Sequence, residues 1–282
     1  MKSSKALLIY AEEDIKKNEW FIGRLIESAA KKGTVLDTVT VSGAFDLFSC
    51  MDKEQEALRP LFVINRSRDR KISELFESAG VRSFNNSETI GIGNDKYAEY
   101  ELFKELGIGA METFRADFFL SKPSECIERL GEIFVLKSLA GHGGNEVFKV
   151  RGMEEVREII ALSDPSGWLV QRLCDSPGKD VRIYMMGKKI VASVLRTSDT
   201  DFRSNFSLGG KVTLFEPDER MKETCVKISS RLGSDYIGID FIKDKGRWVI
   251  NEIEDAAGAR MLYQLGITDI AECFMGYIFE MT

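Results

Sequence analysis

Histidine is almost missing from this chain: His142 is the only one in 282 residues. A single imidazole excludes a multi-histidine metal site and a pair of histidine acid–base groups. Cysteine is scarce and scattered. Cys50, Cys126, Cys174, Cys225 and Cys273 are odd in number and show no C-x-x-C spacing, which argues against a zinc site and for free thiols in a reducing compartment. No apolar run is long enough to span a bilayer, and the N-terminus opens directly into a strand (Ala6–Tyr10) with no signal peptide before it. The expectation is a cytoplasmic protein with no membrane partner. Positive charge is not in surplus either. Lys and Arg number 39 against 45 Asp and Glu, for a net charge of −6, which disfavours general nucleic-acid binding but leaves room for a local basic patch around a phosphate. No G-K-[ST] triplet follows a glycine-rich turn, so there is no Walker loop. Repeats and low-complexity tracts are absent as well.

What remains is an ordinary globular composition, 44% apolar and 30% charged, with strand and helix patterns in alternation. KALLIY reads as a buried first strand, followed by an amphipathic helix over Asp14–Lys32 with Phe21, Leu25, Ile26 and Ala29 inward. Strands are expected at Val35–Val41, Leu61–Asn65 and Val81–Phe84, with a helix over Lys71–Ala79. Residues 1–86 therefore suit a small open parallel sheet, whose ligand crevice lies beyond the carboxyl ends of its strands. Arg66 stands at such an end, either as a contact for an anionic substrate or as a solvated loop arginine. Boundaries are placed to give units 1–86, 87–167 and 168–282. Asn94-Asp95-Lys96 opens a helix reaching Leu106, and Ser124 is expected to cap a short helix to Leu130.

The stretch from Gly238 to Gly258 reads as two apolar strands, Ile237–Lys243 and Arg247–Ile253, with carboxylates set among the apolar residues: Asp240, Glu252 and Glu254. Glu252 and Glu254 are two apart and share a face. A three-residue loop, Asp244-Lys245-Gly246, would set Lys243 against Arg247 and Asp240 against Ile250. Asp240 would then lie one diagonal step from Glu252, whereas a four-residue loop would put it on the opposite face. Three carboxylates on one half-buried face repel unless a cation lies among them. Mg²⁺ with phosphate oxygens suits such hard donors; a solvated acidic face is the other reading.

A second informative stretch is Ile133–Val150. Lys137 ends a buried strand and needs an anionic partner. Gly141, Gly143 and Gly144 form a hairpin loop whose backbone N–H groups can approach phosphate closely, or simply a flexible turn. His142 in that loop is a loop residue or phosphate neighbour rather than a general base. Further on, Asp180–Met186 and Lys189–Leu195 form an antiparallel pair with Asp180 and Arg182 on one face and Arg196 at its end. Residues 199–211 form a long polar loop, of a kind usually functional in a compact domain.

From about Asn94 onward the chain resembles the ATP-grasp superfamily, and within it the ribosomal-protein-S6 glutamate ligase group. The matching stretches are NDK (94–96), VLKS (135–138) with its glycine-rich hairpin, WLVQR (168–172), GKDVRIYMMGKKIVAS (178–193), FRSN…GG (202–210) and GIDFI…NEIE…G. The resemblance implies a mixed α/β and α+β architecture: an ATP-grasp fold behind an N-terminal open parallel-sheet domain. By position it implies Lys96 and Lys137 on nucleotide phosphates, Gln171 at the adenine through main-chain groups, Asp180 near the ribose, and Gly141–Gly144 as a phosphate lid. Arg203 would meet the γ-phosphate or acyl phosphate, with Arg182 and Arg196 as nearby anion holders. Asp240 and Glu252 would hold metals. Where the family has asparagine this chain has Glu254, a metal ligand or a substrate contact. Arg66 and the 199–211 loop, with Asn205, would help choose the substrate.

The implied reaction joins a carboxylate to an amine through an acyl phosphate. It uses ATP with two Mg²⁺ ions (Mn²⁺ being the alternative metal) and releases ADP and phosphate. The acceptor would be a peptide, carrier protein or small molecule, and self-association is open. The alternatives are a phosphotransferase on the same fold and a non-catalytic nucleotide-binding regulator.

Overall fold

A computed structural model describes residues 4–51, 59–141, 146–198 and 211–282. His142, Gly143, Gly144, Arg203 and Asn205 lie outside the described residues. The first sheet is parallel, in the order β2-β1-β3-β4, built from β1 (Ser4–Tyr10), β2 (Thr34–Thr40), β3 (Val63–Asn65) and β4 (Ser83–Phe84). Helices α1 (Glu12–Lys31), α2 (Val41–Ser49) and α3 (Arg70–Ser78) connect them. This is the expected open parallel sheet, with one addition. Strand β2 stops at Thr40 because its hydroxyl accepts a hydrogen bond from Gly43 N–H and caps α2, a helix the strand pattern had hidden.

Helices α4 (Ser87–Gly93) and α5 (Lys96–Glu105) lead into β5 (Thr113–Arg115), α6 (Ala116–Ser121), α7 (Pro123–Leu130), β6 (Ile133–Ser138), β7 (Val147–Arg151), α8 (Gly152–Ile159) and β8 (Trp168–Arg172). Helix α7 starts at Pro123 and has no side-chain cap. Ser124 thus falls inside it, because proline's fixed φ favours the first helical position. The second sheet is antiparallel, ordered β5-β8-β6-β7. Strand β8 pairs with both β5 and β6 and so belongs to this sheet.

The third sheet, β11-β10-β9-β12-β13, is antiparallel and comprises β9 (Lys179–Met186), β10 (Lys189–Thr197), β11 (Lys211–Leu214), β12 (Tyr236–Asp244) and β13 (Arg247–Glu254). Helix α9 (Glu219–Leu232) follows β11, and α10 (Arg260–Gln264) and α11 (Ile270–Met281) follow β13. Side chains alternate along these strands. Val181, Ile183, Ile237, Ile239 and Phe241 pack on α9 and on Leu102 and Phe103 of α5. The opposite face divides in two. Tyr184 and Tyr236 share a core with Phe274 and Ile278 of α11 and with Leu8, Phe62 and Phe84 of the first sheet. Beyond that core the same face turns charged, at Asp180, Arg182, Arg196 and Asp240, all buried.

Two buried side chains of the N-terminal unit fix it to this sheet. Asn85 Nδ2 donates to the carbonyls of Tyr236 and Asp255, both at 2.8 Å, while its Oδ1 accepts from the N–H groups of Asp235 and Tyr236. Arg66 is neither solvated nor free for a ligand. It is 5% exposed, donates to Tyr10 Oη and to the carbonyls of Ala256 and Ala257, and lies over the Phe21 ring. It therefore clamps the turn that follows β13. Replacing Asn85 by Ala strands four backbone groups away from water and is expected to cost at least about 2 kcal/mol in urea unfolding. A loss below about 0.5 kcal/mol would show that this junction contributes little.

Candidate active site

The β12–β13 turn has two residues, Lys245 and Gly246, both with positive φ (49° and 75°), the backbone of a tight primed hairpin turn. The expected three-residue loop is thus corrected: Asp244 pairs with Arg247 and Lys243 with Trp248. A two-residue loop carried straight along the ladder would oppose Asp240 to Asn251 and send Glu252 to the other face. A bulge between Asp240 and Phe241 absorbs one residue, so Asp240 stands directly opposite Glu252 and Phe241 opposite Ile250. The carboxylates share a face as expected, but by turn and bulge together.

Strand β9 brings the cations. Arg182 pairs in register with Asp240, and Asp180 with Arg196. Arg182 Nε donates to Asp240 Oδ1 and its Nη2 to Oδ2, both at 2.7 Å, and Arg196 Nη2 reaches the same Oδ2 at 2.6 Å. Arg196 also forks onto Asp180, with Nη2 at 2.8 Å from Oδ2. Burial pushes the Asp240 carboxyl up, but the two guanidinium groups outweigh it and hold it well below the usual carboxylate range. Glycine at 238 makes room for this: a Cβ there would meet Arg182 Cδ at 3.2 Å. Among the described residues, four carboxylates, Asp180, Asp240, Glu252 and Glu254, share this face with two guanidinium groups. Glu254 and Glu252 are half-buried, and Glu254 lies 3.5 Å from Arg182 Nη2.

Among the described residues no three His, Cys, Asp or Glu side chains converge on one ion position. Asp240 is 1% exposed and turned to its arginines, because guanidinium partners fixed in the fold occupy its oxygens first. Its Oδ2 accepts two bonds and Oδ1 one, so only Oδ1 keeps capacity toward Glu252. Glu252 and Glu254 remain as hard donors of the kind Mg²⁺ takes with phosphate oxygens and water.

The two lysines lie on the side of Glu252. Lys137 is 9% exposed in β6; its Nζ donates to Gln171 Oε1 at 2.7 Å and to Oδ1 of the bulged Asn251 at 3.2 Å. Burial lowers its pKa, with Glu252 acting against that and Lys96 adding to it. Lys96 is the first residue of α5, where Asp95 caps the helix by accepting from the N–H groups of Tyr97 and Ala98, and its Nζ donates to the Gly141 carbonyl at 2.5 Å. Gly141 thus meets Lys96 in this arrangement. Gln171 lies inside β8 between β5 and β6, and its side chain accepts from Lys137 and donates to Thr113 Oγ1. The first main chain beyond that strand is at Leu173 and Cys174.

Glu99 was not singled out from the sequence. It is 2% exposed, accepts from Ile253 N–H at 3.0 Å, and its other oxygen has no partner. Burial pushes its carboxyl well above the usual range, Lys96 opposing and Glu252 adding to the rise. The 99–102–103 spacing, an inward face shared with Leu102 and Phe103, was the available signal. Asn251 carried none, since its position depends on the bulge.

Residues 94–278 match the RimK-like ATP-grasp domain family. The chain is 30% identical over 270 residues to the uncharacterized protein MG011 homolog of Mycoplasma pneumoniae, covering 94% of this chain and 88% of that one. It is 25% identical over 246 residues to the alpha-aminoadipate–LysW ligase LysX of Sulfurisphaera tokodaii, covering 83% and 85%. Its fold is similar to that of Bacillus anthracis D-alanine–D-alanine ligase complexed with ATP, with a TM-score of 0.73, 15% identity, and coverage of 98% and 96%.

Asp240→Asn leaves two buried guanidinium groups undercompensated and is expected to cost about 3 kcal/mol or more at neutral pH. The folded-state pKa of Asp240 lies below its ordinary 3.8, so its contribution is complete above that value and is lost as pH falls through the folded pKa. Urea midpoints of wild type and variant should therefore stay equally far apart from pH 7 down to the ordinary value of 3.8 and converge only below it. Equal stability at pH 7 would contradict the network.

Proposed function

Because the chain belongs to the RimK-like ATP-grasp family, and is thereby an ADP-forming ligase of carbon–nitrogen bonds, we propose that it activates a carboxylate as an acyl phosphate. An amine acceptor then captures that intermediate. Enzymes of this fold use ATP with Mg²⁺. The observation that carries the reading is one charged sheet face, with Glu252 and Glu254 beside Arg182 and Arg196 and with Lys96 and Lys137 at its edge.

Each residue has a role consistent with its surroundings. Lys96 and Lys137 bind the nucleotide phosphates; the carbonyl and amide oxygens they now contact are neutral and give way to stronger anionic partners. Arg182, fixed by Asp240, presents its guanidinium toward Glu254 and the substrate side, where it stabilises the anion of the acyl phosphate and of the tetrahedral adduct. Arg196 supports it from behind and is held in turn by Asp180. Leu173 and Cys174 offer main-chain groups to the adenine in place of Gln171. Glu252 and Glu254 hold the metal, one ion or two. When bound, the ion neutralises phosphate charge and aligns the terminal phosphoryl group. Arg203 and Asn205 are assigned to the γ-phosphate and the substrate on sequence grounds.

The reaction joins an amino acid to a peptide, carrier protein or small molecule, one of the two supplying the carboxylate and the other the amine. LysX carries alpha-aminoadipate and LysW in its name, and the same general division of substrates is proposed here without the same identities. The described helices include none long and apolar enough to cross a membrane, in keeping with the proposed cytoplasmic location. A phosphotransferase would consume ATP without an amine and leave a phosphorylated alcohol.

With candidate acid and amine pairs, ADP and phosphate are expected in equal amounts and only when both substrates are present; AMP and pyrophosphate would rule the mechanism out. Glu252→Gln should lower turnover at least about 100-fold with an unchanged melting temperature. Near-normal turnover would remove Glu252 from the metal role.

A further inference from the structure

We propose that Glu99 is a positioning residue that sets the spacing between the Lys96 helix and the Glu252–Glu254 strand by holding the main chain of Ile253. The inference rests on the assignment of Lys96 to phosphate and of Glu252 and Glu254 to the metal. Helix α5 starts at Lys96, and Glu99 stands one turn further along its inward face, where Leu102 and Phe103 continue into the core beneath the third sheet. Ile253 lies between Glu252 and Glu254 on β13, the edge strand of that sheet. Its N–H donates to Glu99 Oε1 at 3.0 Å. An edge strand has no neighbouring strand to supply such an acceptor. Among the described residues, the other direct backbone tether of β13 on that side is the bridge between Ala110 and Ile250, which lies on the far side of the bulge from the two glutamates.

Packing does not require a carboxylate here. Glu99 is 2% exposed and its Oε2 has no hydrogen-bond partner, which costs stability that a leucine at this inward position would not. The gain lies in geometry. A shift or rotation of β13 at Ile253 swings the side chains on both sides of it, and one hydrogen bond from the lysine-bearing helix prevents that. Glutamine keeps the acceptor oxygen; alanine and leucine do not, and leucine keeps the packing.

The test compares wild type with Glu99→Gln, Glu99→Ala and Glu99→Leu. Binding of AMP-PNP is measured by calorimetry across a Mg²⁺ series, and amide exchange at Ile253 by mass spectrometry. E99A and E99L are expected to raise the half-saturating Mg²⁺ concentration about tenfold, the scale of one lost hydrogen bond. Metal-free AMP-PNP affinity should stay within about twofold, and Ile253 exchange should quicken about tenfold. E99Q should recover both. An unchanged Mg²⁺ requirement in E99L, or an E99Q as impaired as E99L, would overturn the proposal. A wild type that binds no AMP-PNP at any Mg²⁺ concentration would defeat the ligase reading instead. The exchange rates would then still decide whether Glu99 holds Ile253: equal Ile253 exchange in wild type and E99L would overturn the proposal by itself.

Discussion

One carboxylate shared between two buried guanidinium groups organises the charged half of the third sheet. Asp240 accepts from Arg182 and Arg196, and Arg196 in turn forks onto Asp180. Burial alone would drive such a carboxyl to its neutral form, and a lone buried arginine would be comparably costly. Paired with both guanidinium groups, Asp240 stays ionised. Arg182 is then locked in place at the point where the face opens toward Glu254, which is what an anion-stabilising group needs if it is not to reorganise during a reaction. The half-buried Glu252 and Glu254 stand on the same face beside this cluster.

That division of labour depends on a correction of parity. A two-residue turn puts Asp240 and Glu252 on opposite faces, and a single bulge reverses the outcome. The bulged residue is also used, because Asn251 receives a hydrogen bond from Lys137. The local irregularity thus both aligns the carboxylates and links the C-terminal sheet to the lobe carrying the second lysine. Glu99 provides a second link from the same lobe, and Arg66 and Asn85 secure the sheet from the N-terminal unit.

The features readable from sequence were those set by local pattern. Alternating strands and helices gave the parallel sheet, the Asp95 cap gave the start of α5, and two-residue spacing gave the shared face of Glu252 and Glu254. The spacing of motifs around Lys96, Lys137 and the carboxylate hairpin led to the family. The features that escaped are non-local. Strand β8 belongs to the second sheet because of its partners β5 and β6, which its own residues do not reveal. Arg66 looked like a loop residue until the turn at Ala256 and Ala257 closed over it. The arginine partners of Asp240 were hidden because the register that opposes it to Arg182 joins residues 58 apart. Glu99 was passed over because a carboxylate in a helix is ordinarily solvated, and only its burial distinguishes it.

The central claim is that Glu252 and Glu254, not the arginine-bound Asp240, receive the divalent ion that accompanies ATP. Crystals grown with AMP-PNP and Mn²⁺ would locate the ion by its anomalous scattering. The account predicts a peak bonded to oxygens of Glu252 and Glu254 and to the nucleotide's phosphates, with Lys96 and Lys137 on those phosphates and the Arg182–Asp240 pair intact. A peak bonded through Asp240 with Arg182 displaced, or a nucleotide bound away from both lysines, would contradict it.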